Sequence, residues 1–152
     1  MSAGESNPHC LIPPAQVIEV IAALKELGHT AYIAGGAVRD MAMGKPSPED
    51  WDVATSASPE QVMAAFDQVI PSGAAHGTVT VVERGMSIEV TTYRVDGPYL
   101  DGRHPEYVRF VPAIHDDLAR RDFTINAMAF DPIAGELIDP YGGREAIRAR
   151  VI

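Results

Sequence analysis

Three groups of residues have the types and spacing to do chemistry. The first is Asp50-Trp51-Asp52, followed later by Glu89. In a strand, side chains repeat every two residues, so both carboxylates of the tripeptide would leave one face. Their Cα atoms would lie roughly 6.5–7 Å apart. Two such carboxylates repel unless a cation or proton stands between them. Mg²⁺ is suited to the position, because it takes one or two carboxylates and completes its shell with water and phosphate. Alone, the tripeptide fits an acidic strand edge facing water better. Glu89 stands in the β-branched run Ile88-Glu89-Val90-Thr91-Thr92, where a carboxylate needs either solvent or a cation.

The second group is Gly35-Gly36-Ala37-Val38-Arg39-Asp40. It follows a strand pattern and opens a helix pattern. Glycine lets a ligand approach the backbone, the helix start offers N–H groups to phosphate, and Arg39 adds a charge-assisted donor. The spacing is neither GxGxxG nor a Walker A loop. Taken alone, it also fits a tight strand–helix turn with Arg39 paired to a nearby acid. The third group is Arg120-Arg121-Asp122-Phe123-Thr124-Ile125-Asn126. On a helix Asp122 and Asn126 would share a face beside two guanidinium groups; a solvated turn with a capping Asp fits equally. His76 and His104 show no ligand spacing. Ser72 is a turn residue, and Tyr93, Tyr99 and Tyr107 are packing residues.

The elements that must position these groups follow from periodicity. Val17, Ile18, Ile21, Leu24 and Leu27 predict a helix with one buried face, stopped by Gly28. Thr30–Ala34 reads as a strand and Ala37–Met43 as a helix. Trp51–Thr55 is a second strand. Ser58-Pro59-Glu60-Gln61 is a capping box that starts a helix to about Asp67. Thr78–Glu83 and Met86–Arg94 form a hairpin about Arg84-Gly85. Asp96–Pro105 is a loop and Tyr107–Val111 a strand. Asp116–Ala129 is helical in two pieces, with Asp122 able to cap the second. Phe130–Asp139 is a turn, and a helix starts at Gly143. The sum is an α/β or α+β domain with a mixed sheet of about five strands.

Composition bounds the function. The chain has 152 residues, 46% hydrophobic and 22% charged, which is one globular domain. A net charge of -9 argues against a free-standing, non-specific nucleic-acid binder. Ten of its 12 basic residues are Arg, so placed guanidinium groups matter more than the total. One cysteine, Cys10, excludes an intrachain disulfide and a Cys-based zinc site. No run of 18 apolar residues predicts a membrane span, and the first 14 residues lack the pattern of a signal peptide. The cytoplasm is therefore the expected compartment.

The ordered set of motifs resembles the catalytic head of the class II tRNA nucleotidyltransferases, the CCA-adding enzymes, with bacterial poly(A) polymerases as close relatives. The segments carrying it are Gly35–Asp40, Asp50–Thr55, His76–Thr80, Ile88–Arg94 with Asp96-Gly97-Pro98-Tyr99, Arg103-His104-Pro105, Arg120–Ala127 and Asp139–Gly143. Arg103-His104-Pro105 looks more like the tRNA enzymes. The resemblance covers about Ala15 to Ile152. It implies a polymerase β-like nucleotidyltransferase palm, mostly antiparallel. It implies that Asp50 and Asp52 hold Mg²⁺ with Glu89 as a third carboxylate. Gly36 and Arg39 would contact the nucleotide phosphates, with Gly35 supporting the turn. Arg121, with Arg120 beside it, would bind nucleotide, and Asp122 and Asn126 would favour ribose.

The implied reaction is transfer of CMP or AMP from CTP or ATP to a tRNA 3′-hydroxyl, releasing pyrophosphate. The alternatives are poly(A) polymerase-type adenylation of RNA and a non-catalytic nucleotide-binding remnant. The expected layout is a mobile tail over residues 1–14, the head over 15–142, and the start of an uncompleted helical neck over 143–152. No Glu-Asp-x-x-Arg motif of the kind that reads the base occurs in the chain. Base choice and the grip on RNA are thus expected from domains outside it.

Overall fold

The computed structural model describes residues 13–44, 50–96, 108–121 and 123–149. The expected loop at 96–105, including Arg103-His104-Pro105, falls largely outside them, as do Asp122, Cys10 and most of the N-terminal tail. Helix α1 spans Ala15–Glu26 and buries Val17, Val20, Ile21 and Leu24. The expected face is displaced slightly: Leu27 is exposed and Val20 takes its place in the core. Gly28, at φ 94°, turns the chain out of the helix.

Among the described residues seven strands, rather than about five, form one sheet. They are β1 (Ala31–Ala34), β2 (Asp52–Thr55), β3 (Val69–Gly73), β4 (Thr78–Glu83), β5 (Met86–Thr92), β8 (Ala129–Asp131) and β9 (Glu136–Ile138). Their order is β3-β4-β5-β2-β1-β8-β9. The β2–β5 pair is parallel and every other pair is antiparallel. β6 (Arg94–Asp96) and β7 (Val108–Phe110) form a separate ribbon. The expected strand Met86–Arg94 is therefore cut at the buried Tyr93, where the chain leaves one sheet for the other.

The unanticipated strands have physical reasons to be silent. β3 is an edge strand containing Pro71, with Ile70, Pro71 and Ser72 exposed, so it has no apolar alternation. β8 and β9 have three residues each and flank the segment that reads as a turn. The hairpin at Arg84-Gly85 is as expected, with both residues at positive φ (47° and 84°).

One sheet face carries Ile33, Val53, Val79, Val81, Ile88 and Val90 and packs in the main core with α1 and α3 (Pro59–Ala65). Ser58 and Gln61 complete the capping box on α3. The other face carries Ala34, Ala54 and Ala129, with Tyr32 at its margin. These pack with Tyr93, Ala127 and the Ile114 and Leu118 side chains of α4 (Ile114–Leu118). The expected two-part helix over 116–129 is shorter in both pieces: α4, then one 3-10 turn at Thr124–Asn126. Helix α5 (Gly143–Ala149) is capped by Asp139, whose carboxylate accepts from the Gly143 and Arg144 amides at 2.6 and 3.0 Å.

Candidate active site

Antiparallel pairing of β1 with β2 sets Ala34 opposite Asp52. β1 then runs into Gly35, and α2 (Gly36–Ala42) starts beside the first residue of β2. Gly35 has φ 73° and ψ −137°, a conformation that side-chain-bearing residues rarely adopt. A Cβ there would lie 3.3 Å from Arg121 Nη1 and 3.8 Å from Asp52 Oδ2. Gly35 thus occupies the gap between a cation and an anion. A Cβ on Gly36 would lie 3.3 Å from an Arg39 Nη atom.

Arg39 points along the same cavity wall. Its Nε donates to Asp40 Oδ1 and its Nη1 to Asn126 Oδ1, both at 3.1 Å. The expected pairing of Arg39 with a nearby acid and its place beside Gly36 therefore both occur. Arg121 Nη2 donates to Asp117 Oδ1 at 3.0 Å, and Arg120 Nε lies 3.6 Å from Asp117 Oδ2. Burial works against the Arg121 charge, and the Asp117 carboxylate supports it.

Asp52 is half-buried. Burial, then the Glu89 charge, push its carboxyl up to about 6; Arg121 opposes the shift and Asp50 adds to it. Glu89 stands beside Asp52 in parallel register, on the same face, but is exposed. Asp50 is exposed too, two residues ahead of Asp52, while Trp51 between them is buried. Among the described residues, no three His, Cys, Asp or Glu side chains converge as a metal-holding group.

A cavity of about 350 Å³ is lined by Gly35, Gly36, Arg39, Asp52, Arg120, Arg121, Phe123 and Asn126. Seven of the residues picked from the sequence meet there. Asp50 and Glu89 stand outside the lining, and Asp122 lies outside the described residues. Two residues were missed. Phe123 is half-exposed at the cavity. Asp117 is fully buried beneath it, and its position three and four residues before the two arginines was the available signal. A larger groove of about 550 Å³, between the start of α4 and β9, contains none of these residues.

The wall of the cavity is cationic in a chain of net charge -9, and among the described residues one carboxylate, Asp52, faces it. Residues 31–152 match the poly A polymerase head domain family. The chain belongs to that family. The match to the head domain begins at β1 and includes every candidate residue. Among curated relatives, the CCA-adding enzyme of Geobacillus stearothermophilus is 54% identical over 141 residues, covering 92% of this chain and 34% of the relative. That of Anoxybacillus flavithermus is 53% identical over 137 residues, covering 90% and 34%. The chain thus spans about a third of the length of these relatives.

Solved structures agree on the fold of the head domain. The Bacillus stearothermophilus CCA-adding enzyme in complex with CTP superposes with a TM-score of 0.79 at 48% identity, covering 90% of this chain and 32% of that one. A tRNA nucleotidyltransferase complexed with a primer tRNA and an incoming ATP analog gives 0.64 at 30% identity, covering 88% and 37%. The α+β architecture is that of the nucleotidyltransferase head. Among the described residues, no helix is long and apolar enough to cross a membrane.

Proposed function

We propose that this chain is the catalytic head of a tRNA nucleotidyltransferase, which transfers CMP and AMP from CTP and ATP to a tRNA 3′-hydroxyl and releases pyrophosphate. The observation that carries the reading is the cavity lined by Arg39, Arg120, Arg121 and Asp52, in which Arg121 faces Asp52 across Gly35. One wall suits a triphosphate and the other suits a cation. The relatives named as CCA-adding enzymes, and the solved relatives with CTP or with a primer tRNA and an ATP analog, support the same reading.

The donor chemistry fits Mg²⁺. A carboxyl raised to about 6 by burial and by acidic neighbours is one that a divalent cation would relieve. Asp52 and Asp50 would hold the ion, with the Glu89 carboxylate in register beside Asp52. Two carboxylates leave room for water and phosphate oxygens in an octahedral shell. Bound there, Mg²⁺ would acidify the primer hydroxyl and neutralise charge developing on the triphosphate.

The chain's own residues bind and orient. Gly35 and Gly36 leave space for phosphate to approach the backbone. Arg39 and Arg121 bind the phosphate oxygens, with Arg120 beside them, and offset the charge that gathers during in-line displacement. Asn126 accepts from Arg39 through its carbonyl, so its amide N–H groups remain to meet a ribose hydroxyl. Asp122 belongs to the same ribose contact in this proposal. Residues 15–142 would form the head, and 143–152 would begin a helical neck. The parts that choose the base and hold the tRNA would lie in sequence beyond the third of the relatives that this chain matches. The compartment proposed is the cytoplasm.

The test is Mg²⁺-dependent incorporation of labelled CTP and ATP into tRNA lacking its 3′ end. It should be run with this chain and with a chimaera carrying the remaining domains of the Geobacillus relative. Incorporation of C followed by A supports the proposal. ATP alone entering varied RNAs would replace it with a poly(A) polymerase. A folded chimaera that binds nucleotide without incorporating it would overturn it in favour of a non-catalytic module.

A further inference from the structure

Asp117 is the most enclosed carboxylate among the described residues, at 0% exposure, and the reaction proposed above gives it no task. A buried carboxylate destabilises a fold strongly unless it is paired and hydrogen-bonded. Its partners here are specific. Oδ1 accepts from Arg121 Nη2 at 3.0 Å. Oδ2 accepts from the Arg94 amide at 3.0 Å and lies 3.6 Å from Arg120 Nε. Ile114 and Leu118, on the same short helix, are packed against Tyr93, so the carboxylate is fixed from behind.

The consequence lies at the other end of Arg121. With Nη2 tied to Asp117, Nη1 is left 3.3 Å from the point that a Gly35 Cβ would occupy. Asp52 Oδ2 lies 3.8 Å from that same point. A guanidinium released from Asp117 could therefore swing onto Asp52. That ion pair would occupy both the phosphate donor and the cation-binding carboxylate.

We infer that Asp117 is the positioning residue of the triphosphate site: it holds Arg121 across the cavity from Asp52 and keeps the two from pairing. The inference rests on the triphosphate reading of this cavity. It also links the site to the β6–β7 ribbon, since the amide that starts β6 shares the anchoring carboxylate.

The test compares CTP and Mn²⁺ binding in the unaltered chain, Asp117→Asn, Arg121→Ala and the double variant. Asn keeps the size and one acceptor oxygen, but it removes the charge and replaces the second acceptor with an NH2 group. Asp117→Asn should weaken CTP roughly tenfold, the scale of one charge-assisted hydrogen bond. It should also weaken Mn²⁺ binding, which lost packing in a still-folded chain would not do. In the Arg121→Ala background the same change should alter CTP binding less than about twofold, because the two residues act as one unit.

Wild-type affinities for both ligands in a folded Asp117→Asn, or an equal loss in the Arg121→Ala background, overturn the inference and leave the site reading standing. Failure of the unaltered chain to bind CTP overturns both. Should Asp117→Asn not fold, the guanidinium resonances of Arg121 decide in the unaltered chain. Slow rotation with resolved Nη protons supports the anchor, and a freely averaged signal overturns it.

Discussion

Asp52 and Glu89 stand side by side in parallel register on β2 and β5, the one parallel pair among the described strands. Both carboxylates therefore leave the same face. Burial first, and then the Glu89 charge, raises the Asp52 carboxyl from the ordinary 3.8 to about 6. Without divalent cation, the unfolded chain ionises this group near pH 4 and the folded chain only near 6. Stability should fall as pH rises through that window, by on the order of 2 kcal/mol. Asp52→Asn should flatten this part of the profile and abolish incorporation. Urea midpoints at pH 4 and 7 in EDTA check the first point; a profile that falls as steeply in the variant would assign the effect elsewhere.

Gly35 gives a separate prediction. Gly35→Ala must place a Cβ at φ 73°, 3.3 Å from Arg121 Nη1. The backbone term should cost about 1–2 kcal/mol of stability. The added methyl also stands where a phosphate would approach. Triphosphate affinity should fall by more than the loss of folded protein explains, as titration of labelled CTP well below the melting temperature would show. Gly85→Ala, at φ 84° with nothing within 4 Å of its Cβ, is the control: some backbone cost and unchanged binding.

The site was more legible in the sequence than the fold around it. Gly35, Gly36, Arg39, Asp52, Arg120, Arg121 and Asn126 belong to three separate runs, and the order of those runs was enough to bring them to one cavity. The spacing of Asp50 and Asp52 was equally visible. What it could not show was that Asp50 would stay exposed, because exposure depends on where β2 begins relative to its neighbours. The outer strands were hidden for another reason. β8 and β9 are too short to display a period, and their pairing depends on β1, nearly a hundred residues earlier in the chain. Asp117 was hidden because, next to Asp116 on a short helix, it reads as part of a solvated acidic turn until the two arginines fold back over it.

Lys25 and Asp131 test the frame away from the cavity. Lys25 Nζ lies 2.5 Å from Asp131 Oδ2, tying α1 to β8. Burial opposes ionisation of Asp131, but the Lys25 ammonium and the Ala134 and Ile133 amides outweigh it and hold its pKa below the usual carboxylate value. The stability it contributes is complete above the unfolded pKa and is lost as pH falls through the folded one. Lys25→Met should cost roughly 1–3 kcal/mol at pH 7, because a buried carboxylate loses its counter-charge. The penalty should shrink towards pH 3. Thermal melts of the two proteins at both pH values measure it, and CTP binding should not change.

Asn126 separates geometry from charge at the phosphate wall. Its carbonyl accepts from Arg39 Nη1 at 3.1 Å and so aims that guanidinium along the cavity. Asn126→Ala removes the aim and leaves the charge. Asn126→Asp keeps the aim and adds a carboxylate that holds the guanidinium to itself, since a charged acceptor bonds about twice as strongly as a neutral one. If Arg39 binds phosphate, the aspartate variant should lose more affinity for CTP than the alanine variant, even though its side chain is nearly isosteric with Asn. Both should discriminate less between CTP and its 2′-deoxy analogue, because the amide N–H groups are gone in each. A purely structural Asn126 would give the opposite ranking, with alanine the more damaging change and the ribose preference intact. Paired titrations of CTP and dCTP against the three proteins distinguish these outcomes.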